Sequence, residues 1–403
     1  MQSLVRSAHL GHGKGEIGRD LPDLLYFVGV EGLAYAHGVE SGGNELGESG
    51  KAGELRLVGE IRRRAGRSAA GFAAGGLRLG IGDDCALLGV RAGEEMAVTT
   101  DLSIAGRHFR LDWHPAEAVG HRTLARGLSD LAAMGARPVA AFVSLGLPRA
   151  LTLAGGRAGA VKSLIGAAGS AKSWFDRFYD GLLTLASEYS VPLAGGDLAE
   201  SPVAIADIVL VGAVPRGQAL LRSGARVGDG IYVTGTLGGA AAGLELLAET
   251  AKAGLKSGAE MRPVRIPARL EARLRAHLKP QPRIAQGLWL RRKGAASAAI
   301  DVSDGLSTDL AHLCEESGVA AEIDAALLPV DAGANLEQAL NGGEDYELLF
   351  TAPAGERVPK AVAGVAVTRI GRMVRRRPGQ VQVTLVAGES SAPLEPRGWE
   401  HFS

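Results

Sequence analysis

The feature that most constrains this chain is a set of short glycine–aspartate motifs spread along it. They read GIGDDCALL at 80–88, TTD at 99–101, LSDLAAMGARP at 128–138, AGGD at 194–197 and AIDVSDGL at 299–306. Each puts one or two carboxylates at or near the end of an element, beside small residues that let backbone and ligand approach closely. A fold that gathers these carboxylates makes a strongly negative pocket, which cations must fill. Hard oxygen ligands without Cys or His clusters suit magnesium, and magnesium in such a site usually arrives with a phosphate chain. The expected chemistry is therefore that of nucleotides.

A chain of 403 residues is long enough for two domains of ordinary size. Lys+Arg and Asp+Glu both total 44, so net charge gives no reason to expect a nucleic-acid or membrane surface. The two cysteines, Cys85 and Cys314, lie in apolar settings, which fits a reducing compartment and argues against a disulfide scaffold or zinc site. No apolar run approaches the roughly 20 residues that span a bilayer. The polar, glycine-broken start MQSLVRSAHLGHGKGE lacks the apolar core of a signal peptide, so the expected location is cytoplasmic. Glycine is abundant at 58 residues, but with 46% apolar residues the pattern reads as turns and close approaches in an α/β fold.

Residues 1–52 read as a flexible N-terminal extension, with one short apolar patch near 24–30. From residue 53, ELRLVGEIRRRAG sets Leu55, Leu57, Val58 and Ile61 on one helical stripe. Strands are expected at 77–81, 96–100, 140–148, in VPLAGGD (191–197) and at 205–214, with helices at about 115–134 and 174–189; Gly135 and Pro138 stop the first helix. The Gly/Ala/Ser-rich stretch 150–172 reads as a surface insertion. GIYVTG at 230–235 reads as a strand feeding a helix along 240–247, and the basic stretch 250–275 reads as linker-like. AIDVSDGLSTDLAHLCEESG predicts strand, acidic turn and a helix closed by Gly318, followed by strands in YELLFTAP and VAVTRIG. These elements predict two α/β domains, 53–213 and 214–403.

Each motif alone has an ordinary explanation. Asp83 and Asp84 suit a turn after a strand. Asp130 lies within a predicted helix, where Asp is a poor former, and either faces solvent or binds a ligand. AGGD is a glycine turn or an anion cradle. In AIDVSDGL, Ser303 or Asp304 could cap the following helix, but two acids three apart with a hydroxyl between exceed what capping needs. There is no G-x-x-x-x-G-K-[ST] loop, and no Ser–His–Asp or Cys–His order points to a covalent intermediate. His108, in GRHF, suits either a core position or a ligand contact.

Taken together, the segments resemble the thiamine-monophosphate kinase family, of the aminoimidazole-ribonucleotide-synthetase-like superfamily. The resemblance runs over about 53–402 and rests on GIGDDCALL, TTDLSIAGRHF, LSDLAAMGARP, AGGD, RSGARVGD, YVTGTLG, PQPRI, AIDVSDGL, GGEDYELLF and GWEHF. It implies that fold, with an N-terminal mixed sheet with helices and a C-terminal α/β domain, in a homodimer. The implied reaction is ATP-dependent phosphorylation of thiamine monophosphate to thiamine diphosphate, with several magnesium ions. Carried over residue by residue, the metal would fall to Asp84, Thr99, Thr100, Asp101, Asp130, Asp197, Asp301 and Asp304. ATP would meet Tyr179, Gly196, Asp197, Arg222 and Ser303, and thiamine phosphate would meet His108, Glu344 and Trp399. The extension 1–52 and the stretch 150–172 depart from the family pattern. Two rivals share the acidic motifs: a sister enzyme with another oxygen or selenium acceptor, and a non-catalytic, metal-dependent nucleotide-binding protein.

Overall fold

The computed structural model describes residues 54–69, 76–81, 85–153, 172–256, 266, 268–379 and 381–399. The extension 1–52, Asp83, Asp84 and most of the 150–172 stretch lie outside the described residues.

The first half runs α1 (Glu54–Ala69), β1 (Leu77–Leu79), β2 (Leu87–Leu88), β3 (Glu94–Ile104), α2 (Ala116–Ala133), β4 (Arg137–Leu147), α3 (Trp174–Glu188), β5 (Leu193–Glu200) and β6 (Ile205–Pro215). Its main sheet has the order β3-β6-β4-β5 and is mixed: β6 is antiparallel to both neighbours, and β4 and β5 are parallel. On β3 the residues alternate between faces. Met96, Val98 and Leu102 are exposed on one, while Thr99, Asp101 and Ser103 face the other, toward α2. Leu124, Leu128 and Leu131 of α2 pack with Phe175, Phe178 and Leu182 of α3 and with Ile208 and Leu210 of β6. The two helices touch backbone to backbone at Gly120 and Gly181. A Cβ on Gly120 would meet the Phe178 carbonyl oxygen at 1.9 Å, and one on Gly181 would meet that of Glu117 at 1.8 Å.

The second half runs β7 (Gly230–Thr234), α4 (Gly239–Lys256), α5 (Ala268–Leu278), α6 (Ile284–Lys293), β8 (Ala298–Val302), α7 (Leu306–Ser317), β9 (Ala320–Asp324), α8 (Leu336–Asn341), β10 (Glu347–Ala352), β11 (Ala361–Val362), β12 (Val365–Val374), β13 (Val383–Ala387) and β14 (Ser390–Pro393). One eight-stranded sheet has the order β14-β13-β9-β12-β7-β10-β8, with β11 paired to β12. Ile231, Val233, Ile300 and Leu349 from its strands enclose a core with Leu306, Leu310 and Leu313 of α7. Helix α7 ends at Gly318, whose φ of 68° is left-handed, as expected of a glycine stop.

Three expectations need correction. The stretch 250–275 is not a linker over its described residues: α4 continues to Lys256, and α5 covers 268–278. Leu270, Leu274 and Leu278 recur every four residues, and Leu274 and Leu278 bury against Leu247; the many basic residues between them hide the stripe. AGGD lies inside β5, as the strand expected in VPLAGGD has it, and not in a glycine turn after a strand; TTD lies inside β3 rather than at its end. In both cases ladder pairing, with β4 and with β6, carries the strand past the motif.

Candidate active site

Helix α2 organises the site. Arg122, Arg126, Ser129 and Asp130 fall at spacings of three or four, so they share a face. Each reaches a different element. Arg126 donates from Nε to Asp101 Oδ2 (2.8 Å) and from Nη1 to Ser103 Oγ (2.9 Å), both on β3. Asp130 accepts from the Thr99 hydroxyl on the same strand. Ser129 Oγ donates to Asp301 Oδ2 on β8 (2.6 Å). Arg122 Nη2 donates to Glu344 Oε1 (2.5 Å). A buried helix can carry this many polar groups because each finds a partner.

The AIDVSDGL turn is tied by a residue beyond it. Asp309, in the first turn of α7, accepts the backbone N–H groups of Ser303 (3.0 Å), Asp304 (3.1 Å) and Gly305 (3.1 Å) through Oδ2. Gly305 is the N-cap residue and no side chain caps the helix, so neither Asp301 nor Asp304 is a helix cap. The turn in turn holds two distant segments. Its Ser303 carbonyl accepts from the Glu344 N–H (2.8 Å), and its Asp304 carbonyl from the Trp399 N–H (3.0 Å).

These elements enclose a cavity of about 360 Å³. Asp101, Asp130, Asp301, Ser303 and Asp304 line it together with His108, Glu344 and Trp399. Thr99 joins through its bond to Asp130. Thr100 does not: its side chain is on the opposite, open face of β3. Tyr179, Gly196 and Asp197 line a second cavity of about 570 Å³, beside Val58 and Ile61 of α1 and Phe142 of β4. Gly196 has a φ of 143°, and a Cβ there would lie 1.9 Å from the Val143 carbonyl oxygen, so the backbone at this wall admits only glycine. Arg222 is exposed and lines neither cavity, though its charge favours the ionised forms of Asp130 and Asp301.

The acids of the first cavity resist ionisation. Burial pushes Asp101 up to about 6, with the Arg126 charge opposing it and Asp130 adding to it. Burial and the neighbouring Asp301 push Asp130 up. Asp301 is only 3% exposed, and burial raises it against the Ser129 hydrogen bond and the pull of the Arg222 charge. Burial also raises Asp309, with Asp301 and Asp304 contributing. Among the described residues, no three His, Cys, Asp or Glu side chains are grouped so as to hold a metal ion.

Sequence reasoning singled out Asp130 on α2 but missed Arg122, Arg126 and Ser129. The signal was two arginines and an aspartate spaced by four in an otherwise apolar helix. Asp309, whose carboxylate is hidden in a helical first turn, left no such trace.

Two family models match the chain: the AIR synthase related protein N-terminal domain over residues 82–214, and the corresponding C-terminal domain over 226–384. The chain is 38% identical over 339 residues to the thiamine-monophosphate kinase of Escherichia coli (strain K12), covering 81% of this chain and 93% of that protein. It is also similar to the crystal structure of thiamine-monophosphate kinase from Stenotrophomonas maltophilia K279a, with a TM-score of 0.65, 36% identity and coverage of 84% and 98%. A structure of AaThiL complexed with AMPPCP and TMP matches with a TM-score of 0.60 and 28% identity, covering 87% of this chain and 97% of that one.

Proposed function

The chain belongs to the thiamine-monophosphate kinase family, and from that premise we propose that it transfers the γ-phosphoryl group of ATP to thiamine monophosphate, giving thiamine diphosphate and ADP. The observation that supports this reading is that one cavity is lined both by the acids Asp101, Asp130, Asp301 and Asp304 and by the distinct set His108, Glu344 and Trp399.

An oxygen of the thiamine phosphate attacks the γ-phosphorus, and the bond from that phosphorus to the β–γ bridging oxygen breaks, leaving its electron pair on ADP. The acceptor is a phosphate monoester whose second pKa is about 6, so near neutrality it is largely dianionic and needs little help from a base. The obstacle is repulsion between two anions. Magnesium, when bound, neutralises that charge and aligns attacking and leaving oxygens. The donor chemistry suits such ions: buried carboxylates raised by burial and by one another are oxygen donors that a cation would relieve. We assign that role to Asp101, Asp130, Asp301 and Asp304, with Thr99, Asp84 and Asp197; Thr100, on the opposite face of β3, is left out. Arg126 fixes Asp101, Ser129 fixes Asp301, and Asp309 holds the turn that carries Ser303 and Asp304.

We assign ATP to Tyr179, Gly196 and Asp197, supported by the second cavity, whose apolar walls suit a flat base, and to Ser303 of the first cavity and Arg222, which lines neither. Thiamine phosphate goes to His108, Glu344 and Trp399. The exposed apolar face of β3, with Met96 and Val98 each 59% exposed, suits pairing of two copies in a homodimer. We place the division between the domains at 213/214, just before β6 ends, and the enzyme in the cytoplasm; no helix among the described residues is long and apolar enough to cross a membrane. A coupled ADP-release assay with thiamine monophosphate as acceptor tests the reading. ADP release that ignores the acceptor would count against it.

A further inference from the structure

One buried guanidinium ties the substrate side of the first cavity together. Arg122, on α2, has a side chain only 6% exposed. Its Nη2 donates to Glu344 Oε1 (2.5 Å) and to the His108 carbonyl oxygen (3.3 Å), so it touches two of the three residues assigned to thiamine phosphate. Its Nη1 donates to His277 Nε2 on α5 (2.6 Å).

That last contact sets Arg122 against a buried imidazole pair. A guanidinium can only donate, and Nη1 also lies 3.4 Å from His277 Nδ1, so Nε2 is its nearer ring nitrogen. Nδ1 lies 3.5 Å from Glu344 Oε2. His114 completes the chain: its Nε2 lies 3.0 Å from His277 Nε2, and its Nδ1 accepts the Arg110 backbone N–H (3.1 Å). Burial and the Arg122 charge keep both rings neutral, which this arrangement requires.

Glu344 is held just as firmly from its backbone. Its φ is 68° and that of Tyr346 is 51°, left-handed values that cost a non-glycine residue and persist only where the surroundings impose them. The Glu344 and Tyr346 N–H groups bond to the carbonyls of Ser303 and Val302, both at 2.8 Å.

We propose that Arg122, oriented by His277 with His114 behind it, is a positioning residue for the aromatic ring cation of the acceptor, fixing the Glu344 carboxylate and the His108 turn relative to each other. The inference rests on the reading that this cavity takes thiamine phosphate, whose thiazolium ring is permanently cationic. A carboxylate locked by one guanidinium and one neutral imidazole keeps its direction, and so favours a cationic ring without taking part in transfer.

The test compares His277→Asn with His277→Gln in the full chain. Gln reaches the Nε2 position and keeps an acceptor for Arg122; Asn reaches only the Nδ1 position and does not. His277→Asn should raise KM for thiamine monophosphate about 10-fold while KM for ATP and kcat stay within about 2-fold, and His277→Gln should restore most of the loss. In a Glu344→Gln background, His277→Asn should add less than about 2-fold, because the two act through one contact. Should the Asn variant not fold, Arg122→Lys, which keeps the charge and loses the fork, must give the same split. Equal effects on both substrates, an effect on kcat alone, full additivity with Glu344→Gln, or Gln as damaging as Asn would overturn the proposal. Wild-type enzyme measured alongside separates the two failures. If it makes no thiamine diphosphate, the functional reading falls and takes this inference with it; if it does and the split is absent, this inference alone falls.

Discussion

Ser129 on helix α2 donates a 2.6 Å hydrogen bond to Asp301 at the end of β8, joining a residue of the first half to one of the second at the cavity wall. Asp301 is nearly inaccessible to solvent, and its carboxylate is raised by burial despite this bond. A fold gains nothing by burying an acid that it must partly neutralise unless the charge serves a ligand.

Asp301→Asn and Asp304→Asn should therefore separate activity from stability. Neither residue caps α7, and Asn removes a buried or half-buried charge without changing shape. Melting temperature should shift by no more than corresponds to about 1 kcal/mol, while turnover falls by orders of magnitude because an amide cannot supply the charge that a magnesium ion needs. Calorimetry and steady-state rates at saturating magnesium measure both, and normal turnover in both variants would remove these acids from the metal site.

Asp345 gives a pH signature of its own. It accepts the N–H groups of Gly238 (2.6 Å) and Ala240 (3.1 Å) at the start of α4, and burial pushes its carboxyl up to about 7 against those two bonds. Its folded value thus exceeds its unfolded one. The folded state binds the proton more tightly, so its contribution is complete below the ordinary carboxylate range and is lost as pH rises through about 7. Asp345→Asn cannot ionise, so its melting temperature should gain on that of the wild type between pH 4 and pH 8, on the order of the linkage window. The neutral buried histidines titrate alike in both proteins and cancel. A constant gap across that range, or one that narrows, would show that the carboxyl does not titrate there.

Trp399 is half-exposed and lines the first cavity, with its N–H held by the Asp304 carbonyl. Trp399→Ala should weaken binding of thiamine monophosphate by roughly 1–3 kcal/mol, the order lost when an aromatic contact is truncated. Binding of a non-hydrolysable ATP analogue should barely change. Titration calorimetry with each ligand reads the difference. Equal losses would make the C-terminal segment structural, and no loss would take Trp399 out of the site.

Much of the architecture was legible because apolar periodicity and glycine stops are local signals. Helix α2 with Gly135 after it and helix α7 with Gly318 are examples. The linker expectation over 250–275 failed where basic residues diluted a leucine stripe that only packing on Leu247 makes evident. The placement of TTD and AGGD within strands depends on pairing with β6 and β4, partners far away in sequence. The acids of the first cavity were legible as motifs, but what holds them was not. Arg126, Ser129 and Asp309 matter through contacts made only when the chain closes, 25, 172 and 5 residues from Asp101, Asp301 and Asp304 respectively. Separation of Asp197 and Tyr179 into a second cavity is likewise a property of the fold, since both strand and helix read correctly while their common wall did not.

The central claim is transfer of a phosphoryl group from ATP to thiamine monophosphate, assisted by magnesium. It is tested most directly by incubating the enzyme with thiamine monophosphate and ATP labelled at the γ-phosphate, with magnesium or with EDTA, and separating the products. The account predicts label on the terminal phosphate of thiamine diphosphate, one equivalent of ADP per product, and no product in chelator. Labelled inorganic phosphate with no thiamine diphosphate, or full product formation in EDTA, would contradict it.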